Sequence, residues 1–166
     1  MPYFQGDALQ EYNRLYRKYD SIFHELALSA SLSNSAFAIL YYIMEGTEET
    51  CSQKELCNRL FLSKQTIHSS IRKLREEGLL TLEPGKGRDL KIRLTPAGRR
   101  LGEERLLPLM ELENDAFRDM GPKDSRLLLT LTARYLAIFE KKANSYIRKN
   151  NSPFLPEEGR EREKGI

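Results

Sequence analysis

The stretch LFLSKQTIHSSIRKLREEGLLTLEPGKGRDLKIRLTPAG, residues Leu60 to Gly98, decides the fold of this chain. Ser63 can cap a helix in which apolar residues recur every three or four positions, and Gly78 is placed to end it. After Gly78 the pattern changes to alternation, with LLTLE and LKIRL on either side of PGKGRD. This change predicts a helix followed by a β-hairpin whose tip is flexible and positively charged.

A second short helix is predicted immediately before this one. Ser52 and Glu55 form the S-x-x-E pattern of a capping box at the start of SQKELCNRLF. A tight turn at Leu62 and Ser63 joins the two helices. Two short helices with a tight turn between them, followed by a hairpin, predict a winged helix-turn-helix.

Longer helices are predicted on both sides of this unit. Apolar residues from Asp7 to about Ala30 follow helical spacing, and AFAILYYIM predicts a buried helix that ends near Gly46. Thr95, followed by proline, marks the start of a helix that we expect to run to about Arg118 with a kink at Pro108. The segment MGPKD then breaks the chain, and a last helix is predicted from residue 122 to near residue 150.

The predicted fold is mainly α with a small β-hairpin. We expect residues 1–32 to form an N-terminal dimerisation helix, 33–98 the winged helix-turn-helix lobe and 99–150 the C-terminal dimerisation helices. The terminal helices carry more apolar surface than one small winged helix can cover, which is typical of an interface between two copies. Residues 151–166 are charged and contain two prolines, so a disordered tail is predicted there.

The positive charge of the chain is concentrated in its middle. Residues 51–100 carry twelve Lys and Arg against five Asp and Glu, whereas residues 1–50 carry three against seven. A local excess of positive charge attracts polyanions through release of their counterions. A solvated basic face without a partner would show the same excess, so charge alone leaves the partner open.

Several other classes of protein are not expected. No run of eighteen apolar residues and no signal peptide is found, which predicts a cytoplasmic protein without a membrane partner. The two cysteines do not form a CxxC pair, and no histidine has the spacing of a metal ligand, so neither a metal nor a cofactor is expected. No phosphate-binding loop or nucleophile elbow is present, so an enzyme is not expected either.

The helix after Ser63 carries the side chains that suit recognition of double-stranded DNA. Its apolar residues lie on one side, and Gln65, Ser69 and Arg72 lie on the other. Gln can pair with an adenine edge and Arg with guanine or phosphate, while the hairpin tip can enter a minor groove. The residues predicted to contact DNA are Ser63, Lys64, Gln65, Thr66, His68, Ser69, Arg72 and Lys73 in the helix and Lys86 and Arg88 in the hairpin.

The motifs LSKQTIHSSIRKLREEGLL and GRDLKIRLTPAG resemble those of the MarR family of winged-helix transcriptional regulators. The resemblance extends from about residue 8 to residue 148. It implies an intertwined homodimer in which two recognition helices face successive major grooves of a pseudo-palindromic operator. It also implies that Arg88 enters the minor groove, although Lys86 replaces the wing aspartate that is common in the family.

The resemblance further implies a means of regulation. Many members release DNA when a small aromatic effector enters a cleft beside the DNA-binding lobe, and here Phe37, Tyr41, Tyr42 and Met44 are candidates for its lining. Plain core packing would explain the same stripe of residues. Other members respond to oxidants, and Cys51 is the redox candidate because the start of a helix lowers the pKa of a nearby thiol.

The sequence therefore predicts a homodimeric, sequence-specific DNA-binding regulator, a repressor that a small effector releases. Two other interpretations stay open. One is a winged helix that serves as a protein-interaction module, because a fold does not dictate a function. The other is a regulator that needs no effector, or one that responds through a thiol.

Overall fold

A computed structural model describes residues 6–46, 50–85 and 90–150 of the chain. The predicted wing residues Lys86 and Arg88 and the predicted disordered tail, 151–166, lie outside the described residues. The chain divides into two compact units, Met1–Glu113 and Asn114–Ile166. The helices of the first unit begin with α1 (Asp7–Ser29) and α2 (Asn34–Glu45).

The winged helix follows in chain order. It comprises β1 (Thr50–Ser52), α3 (Gln53–Leu60), α4 (Lys64–Glu76), β2 (Leu80–Pro84), β3 (Leu90–Leu94) and α5 (Pro96–Leu101). A π-helical turn (Gly102–Leu106) and α6 (Leu107–Lys149) complete the described chain. The mainly helical fold with a small antiparallel sheet confirms the predicted fold class.

Local capping signals explain where these helices begin. The Ser52 hydroxyl accepts a hydrogen bond from the Glu55 amide, and the Glu55 carboxylate accepts one from the Ser52 amide at 2.6 Å, which confirms the capping box. Ser63 caps α4 by accepting from the Thr66 amide. Thr95 caps α5, with proline at the first helical position.

Gly78 ends α4 as the sequence predicts. Its φ of 73° lies in the left-handed region, which glycine adopts without a steric penalty. The Gly78 amide donates to the Arg75 carbonyl and the Leu79 amide to the Leu74 carbonyl, the two bonds of a Schellman motif. The chain therefore leaves the helix directly into β2.

The sheet has three strands, one more than the predicted hairpin. Its order is β1-β3-β2, and both pairings are antiparallel. In β1, Cys51 pairs with Ile92 of β3. A strand of three residues is too short to show an alternating pattern, so only its pairing with β3 reveals it.

The core of the first unit lies where α3 and α4 pack against the sheet and α2 packs on these two helices. Its fully buried large side chains are Ile39, Leu40, Ile43, Leu56, Ile67, Leu74, Ile92 and Leu106. The burial of α2 agrees with the prediction from its apolar sequence. Within α4 the buried residues alternate with exposed polar ones, so this helix has one face in the core and one in solvent.

The predicted kink at Pro108 takes the form of a π-helical turn. Within Gly102–Leu106 the helix widens, and the Leu107 amide donates to the carbonyl of Gly102, five residues earlier. Proline in a regular α-helix clashes with the carbonyl four residues before it. The wider turn contains that residue, Glu104, and lets the helix continue into α6.

The second unit is helical from residue 114 to residue 149 apart from a break at Gly121. There φ is 75° and ψ is 160°, and Pro122 starts the segment that follows. No residue of α6 is buried, and many of its apolar side chains are exposed. Those between 44% and 59% exposed include Leu127, Leu128, Leu131, Leu136, Ile138 and Phe139.

No single helix among the described residues is long and apolar enough to cross a membrane. By length and composition α1 and α2 would pass that test only as a pair, and they are bent by 85° at the break between them.

We expect Gly98→Ala to destabilise the first unit by about 2–4 kcal/mol, because a Cβ at residue 98 would lie well inside van der Waals contact with the Leu79 carbonyl oxygen. Urea unfolding followed by circular dichroism measures this change. Gly46→Ala is the matched control, since its Cβ would be 3.4 Å from the Ile43 carbonyl oxygen, and we expect a change below about 1 kcal/mol. Equal stabilities for the two variants would contradict the close packing at Gly98.

Candidate DNA-binding face and aromatic cleft

The outer face of α4 is exposed and polar. Lys64, Gln65, His68, Ser69, Arg72 and Lys73 are all exposed, whereas Ile67, Ser70, Ile71 and Leu74 are buried. We call this exposed set, together with Ser63 and Thr66, the reading face. The structure therefore places all the helix residues predicted to contact DNA on the side of α4 away from the core or at its N-terminus.

Three hydroxyl groups of the reading face make hydrogen bonds within the helix. Ser63 and Thr66 share a hydrogen bond of 2.8 Å between their hydroxyl oxygens. The Ser69 hydroxyl donates to the Thr66 carbonyl at 3.0 Å. Ser69 in this rotamer can accept but not donate, so its donor is not available to a phosphate unless the side chain rotates.

The long polar side chains are less constrained. The side chains of Gln65 and His68 make no hydrogen bond to another described residue. Arg72 and Lys73 pair only loosely with the glutamates one turn later, at 3.8 Å and 3.9 Å, and these side chains are mostly exposed. Exposed pairs of this kind contribute little stability, so the cations can exchange them for another anion.

A hydrogen bond to α2 holds the opposite face of α4, and it was not among the features predicted from the sequence. The Ser70 hydroxyl donates to the Ser35 hydroxyl of α2 at 2.8 Å, and Ser70 is 8% exposed. Buried hydroxyls are normally hydrogen-bonded, because an unsatisfied one is costly. A serine inside the apolar stripe Ile67–Leu74 is the signal that could have indicated such a partner.

An ion pair joins the two strands of the wing. Arg93 of β3 donates to the Glu83 carboxylate of β2 at 2.9 Å. This contact orients the strands that lead to the hairpin tip, while the tip residues 86–89 lie outside the described ranges.

A cleft of about 580 Å³ opens beside the winged helix within the first unit. We call it the aromatic cleft. Its ring-bearing lining residues are Tyr16, Tyr19, Phe23, Phe37, Tyr41, Tyr42 and Phe61. The structure thus brings together three of the four residues predicted for an effector pocket. The fourth, Met44, packs elsewhere, against Gly102 of the π-helical turn.

The polar residues of the aromatic cleft come from three helices. Asp20 belongs to α1, Asn34 and Glu45 to α2, and Arg59 to α3. The Tyr41 hydroxyl donates to the Glu113 carboxylate in a short hydrogen bond. Burial, followed by this hydrogen bond and the negative charge of Glu113, raises the pKa of Tyr41, so the phenol stays protonated at neutral pH. Sequence spacing gave no signal for this set, because its members are far apart along the chain.

The surroundings of Cys51 in the fold argue against the redox hypothesis. Its side chain is buried in β1, 6% exposed, and burial together with the charge of Glu55 raises the pKa of the thiol to about 12. The expected lowering by the start of α3 is therefore wrong, since desolvation of the thiolate outweighs it. The other cysteine, Cys57, is half-buried.

We expect Cys51 in the native protein at neutral pH to alkylate about 100-fold more slowly than a free thiol, or slower still, because only a minute fraction is thiolate. Iodoacetamide labelling followed by peptide mass spectrometry gives the rate at each cysteine. The same measurement in denaturant is the control, and there Cys51 should react at the rate of an ordinary thiol. Labelling of native Cys51 at that ordinary rate would support the redox hypothesis.

Comparisons with known proteins agree with this geometry. Residues 30–89 match the sequence model of the MarR family. No curated protein matches the chain. Among solved structures, a MarR family regulator from Neisseria meningitidis superimposes with a TM-score of 0.74 at 21% identity, covering 85% of this chain and 99% of that one.

Two further structures extend the comparison. BpsR of Bordetella bronchiseptica, whose DNA binding is regulated by 6-hydroxynicotinic acid, has a TM-score of 0.59 at 21% identity, with coverages of 82% and 98%. A MarR family transcriptional regulator from Streptomyces coelicolor in complex with DNA has a TM-score of 0.63 at 16% identity, with coverages of 82% and 90%. Residues 30–89 therefore resemble the MarR family, and the chain shares its fold with solved MarR family regulators.

Proposed function

We propose that this protein is a homodimeric repressor that binds a pseudo-palindromic DNA operator and is released by a small aromatic effector, and that it acts in the cytoplasm. The observation that carries the proposal is the reading face of α4. Its polar and cationic side chains are exposed along a helix whose other side is anchored in the core. The major groove of DNA is wide enough to admit an exposed α-helix.

The anchoring of α4 supports a role in sequence recognition. Base edges are read by side chains near the N-terminus of a recognition helix. Here that end is fixed by the Ser63 cap, and the middle of the helix is fixed by the Ser70–Ser35 hydrogen bond. Gln65 and His68 then face outward from a rigid backbone, and Arg72 and Lys73 lie one turn further along.

The distribution of charge supports a polyanionic partner. The excess of Lys and Arg in residues 51–100 coincides with the winged helix, and α4 alone exposes Lys64, Arg72 and Lys73. A protein-interaction module would need a neutral or apolar α4 instead. Phosphate contacts by these cations would fix the register of the helix on the duplex.

The exposed apolar residues support a homodimer. In α1 the residues Leu15, Tyr16, Tyr19 and Ile22 are each at least half exposed. In the second unit a long apolar stripe is equally exposed. Contiguous apolar surface of this extent normally marks an interface, and a two-fold pair of chains is the commonest closed assembly.

The aromatic cleft supports an effector. It has the volume of a site for a small molecule, and its rings converge with a few polar groups, which is the usual composition of a ligand pocket. It also lies against α2, which is hydrogen-bonded to the recognition helix, so an occupant could bias the position of α4. BpsR, a protein of the same fold, responds to an aromatic acid.

We expect the protein to select, from a random double-stranded DNA library, an inverted repeat with half-sites about one helical turn apart, ~10 bp from centre to centre. On the selected site, Arg72→Ala should weaken binding by about 1–3 kcal/mol and relax the preference at one base pair, since Arg can bind a guanine edge through two donors. Fluorescence anisotropy at several salt concentrations measures both effects.

Arg148→Ala is the control for charge, because it removes the same charge from the exposed end of α6, outside the winged helix. It should leave the base preference unchanged. If Arg72→Ala weakens DNA binding equally for all sequences, Arg72 contacts a phosphate and not a base. A folded protein that enriches no sequence at any salt concentration would refute the proposal and favour the interaction module.

We expect sedimentation to show a dimer at micromolar concentration and Leu131→Glu to shift it towards monomer. Leu131 is already 53% exposed within one chain, so a carboxylate there disturbs an interface rather than the core. Ala133→Glu is the matched control, because residue 133 lies on nearly the opposite side of the same helix. Identical behaviour of the two variants would argue against an interface on this stripe.

A further inference from the structure

The charged groups of the aromatic cleft are mainly acidic. Asp20 and Glu45 line it, and Glu113 is hydrogen-bonded to Tyr41 at its wall. Arg59 is the cation among the described lining residues. An entering ligand therefore meets two lining carboxylates and one guanidinium, and the third carboxylate, Glu113, is bonded to the lining residue Tyr41.

Glu45 is placed where negative charge is least favourable. Burial raises the pKa of its carboxyl group, and the charge of Glu113 raises it further. Glu45 is also the last residue of α2, where the helix dipole contributes a partial negative charge. A cation bound here would neutralise this accumulation, whereas an anion would add to it.

Arg59 offsets these carboxylates only in part, because it also faces a carboxylate on its own helix. The pKa of Glu55 is lowered mainly by its hydrogen bonds with Ser52, and in smaller part by the charges of Lys91 and Arg59. Residues 55 and 59 are one helical turn apart. The charge of Arg59 therefore also acts on Glu55 of α3.

The aromatic rings favour a cation as well. Tyr19 and Phe23 are 4.8 Å apart between ring centroids, and Phe37 and Tyr41 are 5.6 Å apart. The faces of such rings attract an ammonium group, and the attraction grows when water is excluded. Rings combined with carboxylates form the usual environment for an organic cation.

We infer that the aromatic cleft selects an aromatic ligand that carries a protonated amine over an aromatic acid of the same size. Asp20 and Glu45 would be the specificity-determining residues. The inference rests on the proposed function in treating the occupant as the effector. It separates this cleft from a site for an anion such as the 6-hydroxynicotinic acid to which BpsR responds.

Tyramine and 4-hydroxyphenylacetate are the probes, because they share the phenol ring and differ in the charge at the end of a short side chain. Isothermal titration calorimetry at pH 7 should give a dissociation constant for tyramine about tenfold lower than for the acid. Glu45→Gln should raise the dissociation constant for tyramine about threefold to tenfold and reduce the preference for tyramine over the acid. Asp20→Asn is a second variant in case Glu45→Gln is unstable.

Glu25→Gln is the matched control, since Glu25 is exposed on α1 and does not line the cleft. It should leave both dissociation constants unchanged. Equal or tighter binding of the acid would overturn the inference. So would a preference that Glu45→Gln and Asp20→Asn leave intact, or the absence of binding by either probe at millimolar concentration.

Parallel DNA titrations distinguish the two hypotheses. A protein that binds its selected operator but does not prefer tyramine would refute the inference alone. One that prefers tyramine through Glu45 and binds no DNA would refute the proposed function alone. If both hold, tyramine should lower the apparent affinity for the operator, and Glu45→Gln should reduce that effect.

Discussion

The junction between α4 and the wing depends on the backbone around Leu79. Gly78 turns the chain out of α4, and the Leu79 carbonyl then accepts a hydrogen bond from the Thr95 amide at 3.0 Å. The Thr95 hydroxyl donates to the Gly78 carbonyl at 2.7 Å, and Gly98 packs directly over Leu79. Helix α4, both wing strands and α5 therefore meet at one point. Their relative orientation is held by hydrogen bonds from the amide and the short hydroxyl side chain of Thr95 to two backbone carbonyls.

Helix α2 connects the aromatic cleft with α4. Phe37 and Tyr41 of α2 line the cleft, and Ser35, half a turn before Phe37, bonds to Ser70 of α4. On the other side the cleft reaches Phe61, which joins α3 to α4 in a left-handed conformation with φ of 52° and is 92% exposed. Non-glycine residues rarely adopt this conformation, and it concentrates at functional sites. An occupant of the cleft would therefore contact both α2, which packs on α4, and the turn at Phe61 that precedes α4.

Two polar contacts link α1 to other helices of the first unit. Arg105, in the π-helical turn, donates to the carbonyl of Ala30 at the end of α1 at 3.1 Å. Cations near the C-terminus of a helix satisfy carbonyls that have no partner within the helix. At the start of the next helix, His24 and Asn34 are 2.8 Å apart and link α1 to α2. These two polar contacts add to the packing of Phe23, Leu26 and Ala27 against the core, although most other apolar residues of α1 stay exposed.

The sequence by itself determined the features that depend on neighbours within about four residues. Ser52, Ser63 and Thr95 begin their helices, Gly78 ends one, and the alternation after Gly78 forms the wing strands, because caps and turns are local interactions. The exposed face of α4 follows from its period alone. From these signals both the winged helix and the reading face of α4 could be predicted.

Only the tertiary structure decided what depends on distant partners. β1 is a strand because it pairs with β3 some forty residues later, and that pairing buries Cys51 and raises its pKa. Met44 shares a helix with Phe37 and Tyr41 but packs against Gly102, outside the cleft. The acidic character of the cleft arises where three helices converge. Burial and charge environment are sums over neighbours in space, and a local pattern contains no information about which neighbours those are.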